Sequence, residues 1–471
     1  MRADFVSSAP MRLLTISLLV ALASACSSSA DTSSSATSSS SAGVGTGGSG
    51  GMDGSGSSSS SSGASGTGGG GGPIAPEGPA RYPAGARHSP MSASVVARLK
   101  DVIGASPGRK DVFAKVGASN TVNTHFATCF AGADVDLGAH AELEPSRAFF
   151  ATTLADPTHT SFDRVSLAAK VGWGAAALLA GDPPPLDQEI DAIDPGFAVV
   201  LLGTNDTYAQ GVVPFEASLL AVVDHLLSRG VVPLVSTLPP RADSPEAAAL
   251  APEMNQIIRA VAQARQVPFM DLFGALDVLP DKGLVSDGIH LGVYSQGGAH
   301  GCWLNEAGLA EGMNQRNLIT LEALDRARRF LLESAAPEAA PPALAGKGTW
   351  EDPLVIDALP FVDDRDTNES TTSVVSAYSC GPQDEGGPEI VYRLTVNAQT
   401  KLRARVFDGG GVDVDLHLLG AEADGESCIA RADKLLDADV GPGTYWIAVD
   451  SYVSGGAAQS GPYRLTVIAR P

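Results

Sequence analysis

Two hydrophobic periods divide this chain. From about residue 85 to 335, continuous apolar runs alternate with segments whose apolar residues recur every three or four positions. Residues 197–202, Phe-Ala-Val-Val-Leu-Leu, are apolar throughout, the pattern of a strand buried on both faces. Residues 112–116 read as an earlier strand, 231–235 as a later one whose Pro233 marks its start, and 267–272 as the last. Pro214 opens a predicted helix with Phe215, Leu219, Val222, Val223 and Leu226 on one face, closed by Gly230. Further helices are predicted over 246–265, with Pro245 at the first turn, and over 318–332, where Leu321, Leu324, Ala327, Arg328 and Leu331 fall at helical spacing. Strand–helix alternation of this kind predicts a parallel sheet covered by helices. Past an Ala- and Pro-rich linker at 336–348 the period becomes two. Ile390, Tyr392, Leu394 and Val396 alternate with polar neighbours, as do Val412, Val414, Leu416 and Leu418. Tyr445, Ile447 and Val449, and then Tyr463, Leu465 and Val467, follow Gly/Pro turns, so 349–471 is expected to be a small β-sandwich.

Composition adds the frame around these domains. Arg12 precedes an apolar run at 13–25 and then Cys26, and Leu22-Ala23-Ser24-Ala25-Cys26 resembles a bacterial lipobox. Residues 1–26 are therefore read as a lipoprotein signal with Cys26 as the lipidated residue, and translation starting at Met11 would make it more compact. The run is too short for a permanent span. Ser27 after the cysteine fits an outer-membrane or cell-surface address. Residues 27–84 are dominated by Ser and Gly in their first two thirds, cannot bury apolar area, and are expected to form a disordered tether. Gly47-Gly48-Ser49-Gly50-Gly51 formally matches a nucleophile elbow but has no strand before it or helix after it. The net charge of −22 over 471 residues argues against a nucleic-acid partner. Four further cysteines allow three pairings, and domain placement favours Cys129 with Cys302 and Cys380 with Cys428, free buried thiols being the alternative.

Three short stretches then carry the chemistry. Gly117-Ala118-Ser119-Asn120-Thr121 follows the first predicted strand, and Gly203-Thr204-Asn205-Asp206 follows the continuous apolar one, so both emerge at the carboxyl edge of the sheet. Asp287-Gly288-Ile289-His290 comes from the loop before the last helix. A serine needs an imidazole to take its proton, and a carboxylate to fix that imidazole. Ser119, His290 and Asp287 can fill those roles, while the Ser119 N–H, a glycine N–H and the Asn205 amide can stabilise an oxyanion. His125 and His300 are set aside because neither has a carboxylate at a matching offset. Tyr208 and Trp303 are candidate pocket residues, or packing against neighbouring loops.

The ordered set resembles the SGNH hydrolase family, also called GDSL esterases, over roughly residues 110–317. The resemblance implies a flavodoxin-like three-layer α/β/α fold at 85–335 and a glycine block between the serine and asparagine blocks. Residues 166–175 are the candidate, with Gly172 preferred to Gly174 as oxyanion donor. One position departs: the family usually has Asp before the nucleophile, where this chain has Ala118. Residues 349–471 resemble the prepeptidase C-terminal β-sandwich, through Asp413-Val414-Asp415-Leu416, Gly443-Thr444-Tyr445, Asp450 and Tyr463-Arg464-Leu465.

No catalytic cofactor or metal is expected. Asp363, Asp364, Asp366, Asp413, Asp415 and Asp450 are candidate oxygen ligands for a structural Ca²⁺. The expectation is an exported, lipid-anchored monomeric serine esterase acting on short acyl esters, such as an acetylated polysaccharide. A sugar O-acyltransferase and a non-catalytic surface-binding lipoprotein are the alternatives.

Overall fold

The computed structural model describes residues 79–209 and 211–470. The signal, Cys26 and most of the Ser/Gly tether lie outside the described residues. In chain order the α/β part comprises α1 (Ala93–Ala105), β1 (Arg109–Gly117), α2 (Ser119–Val122), α3 (Glu144–Thr152), α4 (Pro185–Ile193), β2 (Pro195–Leu201), α5 (Asp206–Ala209), α6 (Val212–Ser228), β3 (Val232–Ser236), α7 (Pro245–Arg265), β4 (Phe269–Met270), α8 (Leu272–Asp277) and α9 (Gly312–Ala327). The four strands are parallel and lie in the order β1-β2-β3-β4. Every crossover therefore steps in the same direction. Right-handed crossovers then put α4, α6 and α7 on one face, and α1 and α9 cover the other. Accordingly α6 packs on α7, and α1 packs on the π-turn Arg328–Leu332 that ends α9.

The elements follow the apolar pattern, with differences at their ends. β2 is buried at every residue. Ser244 caps α7, its Oγ accepting from the Ala247 N–H at 3.1 Å. β4 is only two residues long because Asp271 caps α8, accepting from the Gly274 N–H at 3.0 Å. α9 starts at Gly312 rather than 318. Its first turns carry Asn314, Arg316 and Asn317, all buried and bonded to loops, and a search for apolar spacing passes over such residues.

The C-terminal part is a sandwich of β5 (Leu354–Ile356), β6 (Phe361–Asp366), β7 (Glu389–Val396), β8 (Thr400–Phe407), β9 (Val414–Leu419), β10 (Cys428–Ala432), β11 (Leu435–Val440), β12 (Gly443–Ser451) and β15 (Pro462–Arg470), with β13 (Val453–Ser454) and β14 (Ala457–Ala458) forming a small hairpin. One sheet runs β10-β9-β12-β7-β5 and the other β11-β8-β15-β6. Their pairings are antiparallel except β5 with β7. Tyr392, Leu402, Leu416, Leu418, Val449 and Leu465 fill the space between them.

The two parts are docked. Arg403 and Arg405 of β8 reach the buried Glu253 of α7 at 2.6 and 2.8 Å. Arg464 donates to Glu216 of α6 at 2.5 Å, and Gln263 of α7 donates to Asp364 at 3.0 Å. The flanking segments are pinned as well. The Ala80 and Tyr82 N–H groups donate to Gln266 and Gln263 at 2.7 and 2.8 Å, so residues ahead of 85 are already packed on the α/β part. Within 336–348, the Glu338 carboxylate accepts from Arg326 at 2.6 and 2.7 Å and from the Met91 N–H at 2.9 Å. Cys129 is bonded to Cys302, and Cys380 to Cys428.

Candidate active site

The site is built where the chain leaves β1. The Thr121 and Val122 N–H groups bond to the Ala118 carbonyl at 2.8 and 2.9 Å, which turns the chain at once into the single turn α2 with the half-buried Ser119 as its first residue. Ala118 itself is buried, and the turn forms without an acid in its place. The segment after Ser166 runs beside the end of β1. The Gly117 N–H donates to the Ala168 carbonyl at 3.1 Å, and the Lys170 N–H donates to the Gly117 carbonyl at 3.2 Å.

This brings the glycine block to the asparagine block at the end of β2. The Asn205 amide donates to the Trp173 carbonyl at 2.8 Å, and the buried Asp206 carboxylate accepts from the Ala175 N–H at 3.0 Å. Burial raises the Asp206 pKa although N–H groups oppose the shift. The two glycines of the block separate clearly. At Gly174 a Cβ would lie 2.7 Å from Asp206 Oδ1, so this glycine serves close packing. Gly172 is exposed, has φ +83° and has open space around it, so its backbone conformation is what calls for glycine.

The last block is a tight loop. His290 Nε2 lies 2.8 Å from Ser119 Oγ, and His290 Nδ1 lies 2.6 Å from Asp287 Oδ2. The other carboxylate oxygen accepts from the Ile289 and His290 N–H groups at 2.8 and 2.9 Å. Desolvation pushes the Asp287 pKa up, but the backbone N–H and ring of His290 and the Ile289 N–H outweigh it and hold it at about 2. Gly288, with φ +71°, is where the loop meets the chain after β3. A Cβ there would lie 2.6 Å from the Ala242 carbonyl carbon and the Asp243 nitrogen.

Two residues missed by sequence reading hold the serine turn to the histidine loop. Asn120 Oδ1 accepts from the Leu291 N–H at 3.2 Å, and its amide donates to the Ile289 carbonyl at 3.4 Å. Arg316 of α9, fully buried, donates to the Asn120 carbonyl at 2.5 Å and to Thr121 Oγ1 at 2.9 Å, with its guanidinium 3.6 Å from the Phe126 ring centre. Both partners of Arg316 are almost two hundred residues away in sequence, so only its unusual place on a buried helical face could have drawn notice.

The remaining candidates lie elsewhere. His300 does have a carboxylate, but from Asp134, 2.9 Å from its Nδ1, not from a local offset. Its ring stacks on Trp303 at 3.9 Å, and Trp303 Nε1 also donates to Asp134. Trp303 thus packs between loops. His125 contributes its backbone, accepting from Asn317 at 2.9 Å. Tyr208 is exposed, and its hydroxyl accepts from Arg241. Of the candidate calcium ligands, Asp363 bonds Arg365 and Tyr392, Asp364 bonds Gln263, Asp366 caps Asn368, Asp413 bonds Lys434, Asp415 bonds Arg431 and Asp450 bonds Tyr378. The six are not gathered into one site, but Asp413 and Asp415 lie with Asp433 in a group whose ligand atoms are within 4.8 Å of one another. A cavity of about 390 Å³ between α7 and the sandwich, lined by Gln256, Leu359 and Arg403 among others, contains none of the serine-site residues.

A serine and an imidazole at the carboxyl edge of a helix-covered parallel sheet define a class of α/β esterases. Residues 128–294 match the GDSL-like Lipase/Acylhydrolase family, a match to an ester-bond hydrolase domain within the α/β part. The match includes His290 and starts after Ser119. No curated protein matches the chain. Among solved structures it is similar to a GDSL-like lipase from Bacteroides thetaiotaomicron, at 13% identity over 49% of this chain and 98% of that one, with a TM-score of 0.31. It is similar to an acetylxylan esterase from Geobacillus stearothermophilus at 14% identity over 46% and 94%, with a TM-score of 0.29. It is also similar to the pre-peptidase C-terminal domain of a collagenase from Bacillus anthracis, at 17% identity over 23% and 89%, with a TM-score of 0.16.

Proposed function

We propose that the protein is an exported serine esterase that removes short acyl groups, acetyl groups on a polysaccharide being the substrate class, and that it is held to the cell envelope through a lipid on Cys26. The unbroken relay Ser119 Oγ–His290–Asp287, at 2.8 and 2.6 Å, carries the catalytic reading. Ser119 Oγ attacks the acyl carbon while its proton passes to His290 Nε2. Asp287, ionised, keeps the Nδ1 proton in place and stabilises the imidazolium. The Ser119 and Gly172 N–H groups and the Asn205 amide are the donors assigned to the developing oxyanion. Asn205 spends one amide hydrogen on Trp173, which orients the other. His290 then protonates the leaving alcohol, and water repeats the sequence on the acyl-enzyme. The side chains of His290 and Asp287 are 38% and 46% exposed, so water has direct access to the acyl-enzyme. The apolar run before Cys26 and the Ser/Gly stretch after it support export and tethering.

Ser119→Ala and His290→Ala are each expected to abolish hydrolysis of a short-chain aryl ester with the circular dichroism spectrum unchanged. Turnover by the serine variant at the wild-type rate would overturn the assignment. Labelling of wild type, but not the variant, by a fluorophosphonate probe gives an independent reading.

A further inference from the structure

The outer face of the β10-β9-β12-β7-β5 sheet is covered by the chain between β6 and β7, stapled to β10 by Cys380–Cys428. Beneath that cover lie four carboxylates, Glu385, Glu389, Asp415 and Asp450, and the imidazole of His417, all at most 2% exposed. Arg431 is the cation bonded among them: it donates to Asp415 and stands 3.5 Å from Glu385 Oε1. Other bonds are accounted for: Asp450 accepts from the Tyr378 hydroxyl at 2.7 Å, and Glu389 Oε1 accepts from Trp350, Thr372 and the Val374 N–H. Both oxygens of Glu385, one oxygen each of Glu389 and Asp450, and both ring nitrogens of His417 have no hydrogen-bond partner among the described residues. His417 Nε2 is 3.7 Å from Glu385 Oε1.

Burying one uncompensated carboxylate costs several kcal/mol, so one guanidinium does not balance this group. Hydrogen bonding among these carboxyl groups would require one of each facing pair to carry a proton, and it would still leave both His417 ring nitrogens without partners. A cation balances the group. Glu385, Asp415 and His417 each place one ligand atom within 4.8 Å of the others. We propose that the sandwich binds a divalent metal ion through Glu385, Asp415 and His417, as a structural site that fixes the covering segment to the sheet. An imidazole beside two carboxylates suits Zn²⁺ or a similar first-row ion, whereas Ca²⁺ takes all-oxygen shells. Arg431 occupies one oxygen of Asp415, and a carboxylate leaves a second for the ion. Tyr378 stacks on the His417 ring at 3.6 Å and 13°, which fixes the imidazole plane. The site is on the sheet that does not dock on α7, and through Asp415 it adjoins the Asp413 and Asp433 carboxylates, which Lys434 neutralises.

The test uses the full chain, purified without chelator or a histidine tag. Elemental analysis is expected to find about one equivalent of a first-row divalent ion per chain, and dialysis against dipicolinate to lower the melting temperature until Zn²⁺ restores it. Glu385→Gln and His417→Ala are expected to lose the ion and keep the wild-type ester turnover. If the variants do not fold, X-ray absorption of the wild-type protein still decides, with a nitrogen and oxygen shell containing one imidazole as the expected result. A wild-type chain that stays metal-free after loading with Zn²⁺ and Mn²⁺ would overturn the proposal. So would binding of Ca²⁺ alone, sulfur in the shell, or full retention of the ion in both variants.

Discussion

Asn205 shows how much one side chain is asked to do. Its amide is held by the Trp173 carbonyl, and that same bond ties the glycine block to the end of β2. Asn205→Ala therefore removes the proposed oxyanion donor and the bond that holds the segment next to Gly172. The expected result is a fall in kcat of about 100- to 1000-fold with KM little changed, measured on the short-chain aryl ester. Ser119, Asn205, Asp287 and His290 could be nominated from the sequence because each sits in a motif of four or five residues whose chemistry is local. Asn120 and Arg316 could not. An asparagine beside a serine and an arginine in a helix mean nothing until folding joins them, and no period in the chain records that contact. His300 makes the same point in reverse: its carboxylate partner, Asp134, is invisible at any local spacing.

At the scale of elements, α9 and β1 carry polar groups where the pattern expects apolar ones. Arg316 holds the serine turn from behind and touches no reacting atom. Arg316→Met is expected to lower kcat tenfold or more, leave KM near wild type and cost about 2 kcal/mol in urea unfolding, with Arg316→Lys restoring part of kcat. A purely structural role would lower stability and leave kcat per folded molecule intact. Lys115 in β1 donates to the Phe162 carbonyl at 2.8 Å, and burial lowers its pKa to about 8. The unfolded chain, with a lysine near 10.4, binds the proton more tightly, so stability contributed through this group rises as pH increases from about 8 to 10. Lys115→Met should flatten that rise, on the order of 1–3 kcal/mol, in urea unfolding compared at the two pH values. The strands themselves were readable because a doubly buried strand is apolar without interruption. Their ends were not, because caps such as Asp271 and the polar first turns of α9 depend on distant partners.

For the whole molecule, the sequence separates two domains through the change of period, yet nothing in it announces that they are welded. Glu253 is the buried hinge-pin of the contact, taking both Arg403 and Arg405. Glu253→Ala leaves the buried Arg405 without its anion and Arg403 with Asp437 alone, a loss on the order of 3–5 kcal/mol for a buried pair. The wild-type chain is expected to unfold in one calorimetric transition, and this variant in two. A single transition in the variant would show that the remaining contacts, such as Arg464 with Glu216, suffice.

The way the chain enters its folded body also has a directional meaning. Ala80 and Tyr82 are moored to Gln266 and Gln263, where α7 ends and the chain turns toward the start of β4. That is the rim at which the parallel strands begin. Ser119 and Asn205 stand at the opposite rim, where they finish. The folded body is therefore entered at the rim away from Ser119, and Ala80 to Tyr82 leave the rim that carries Ser119 and Asn205 free of the incoming chain.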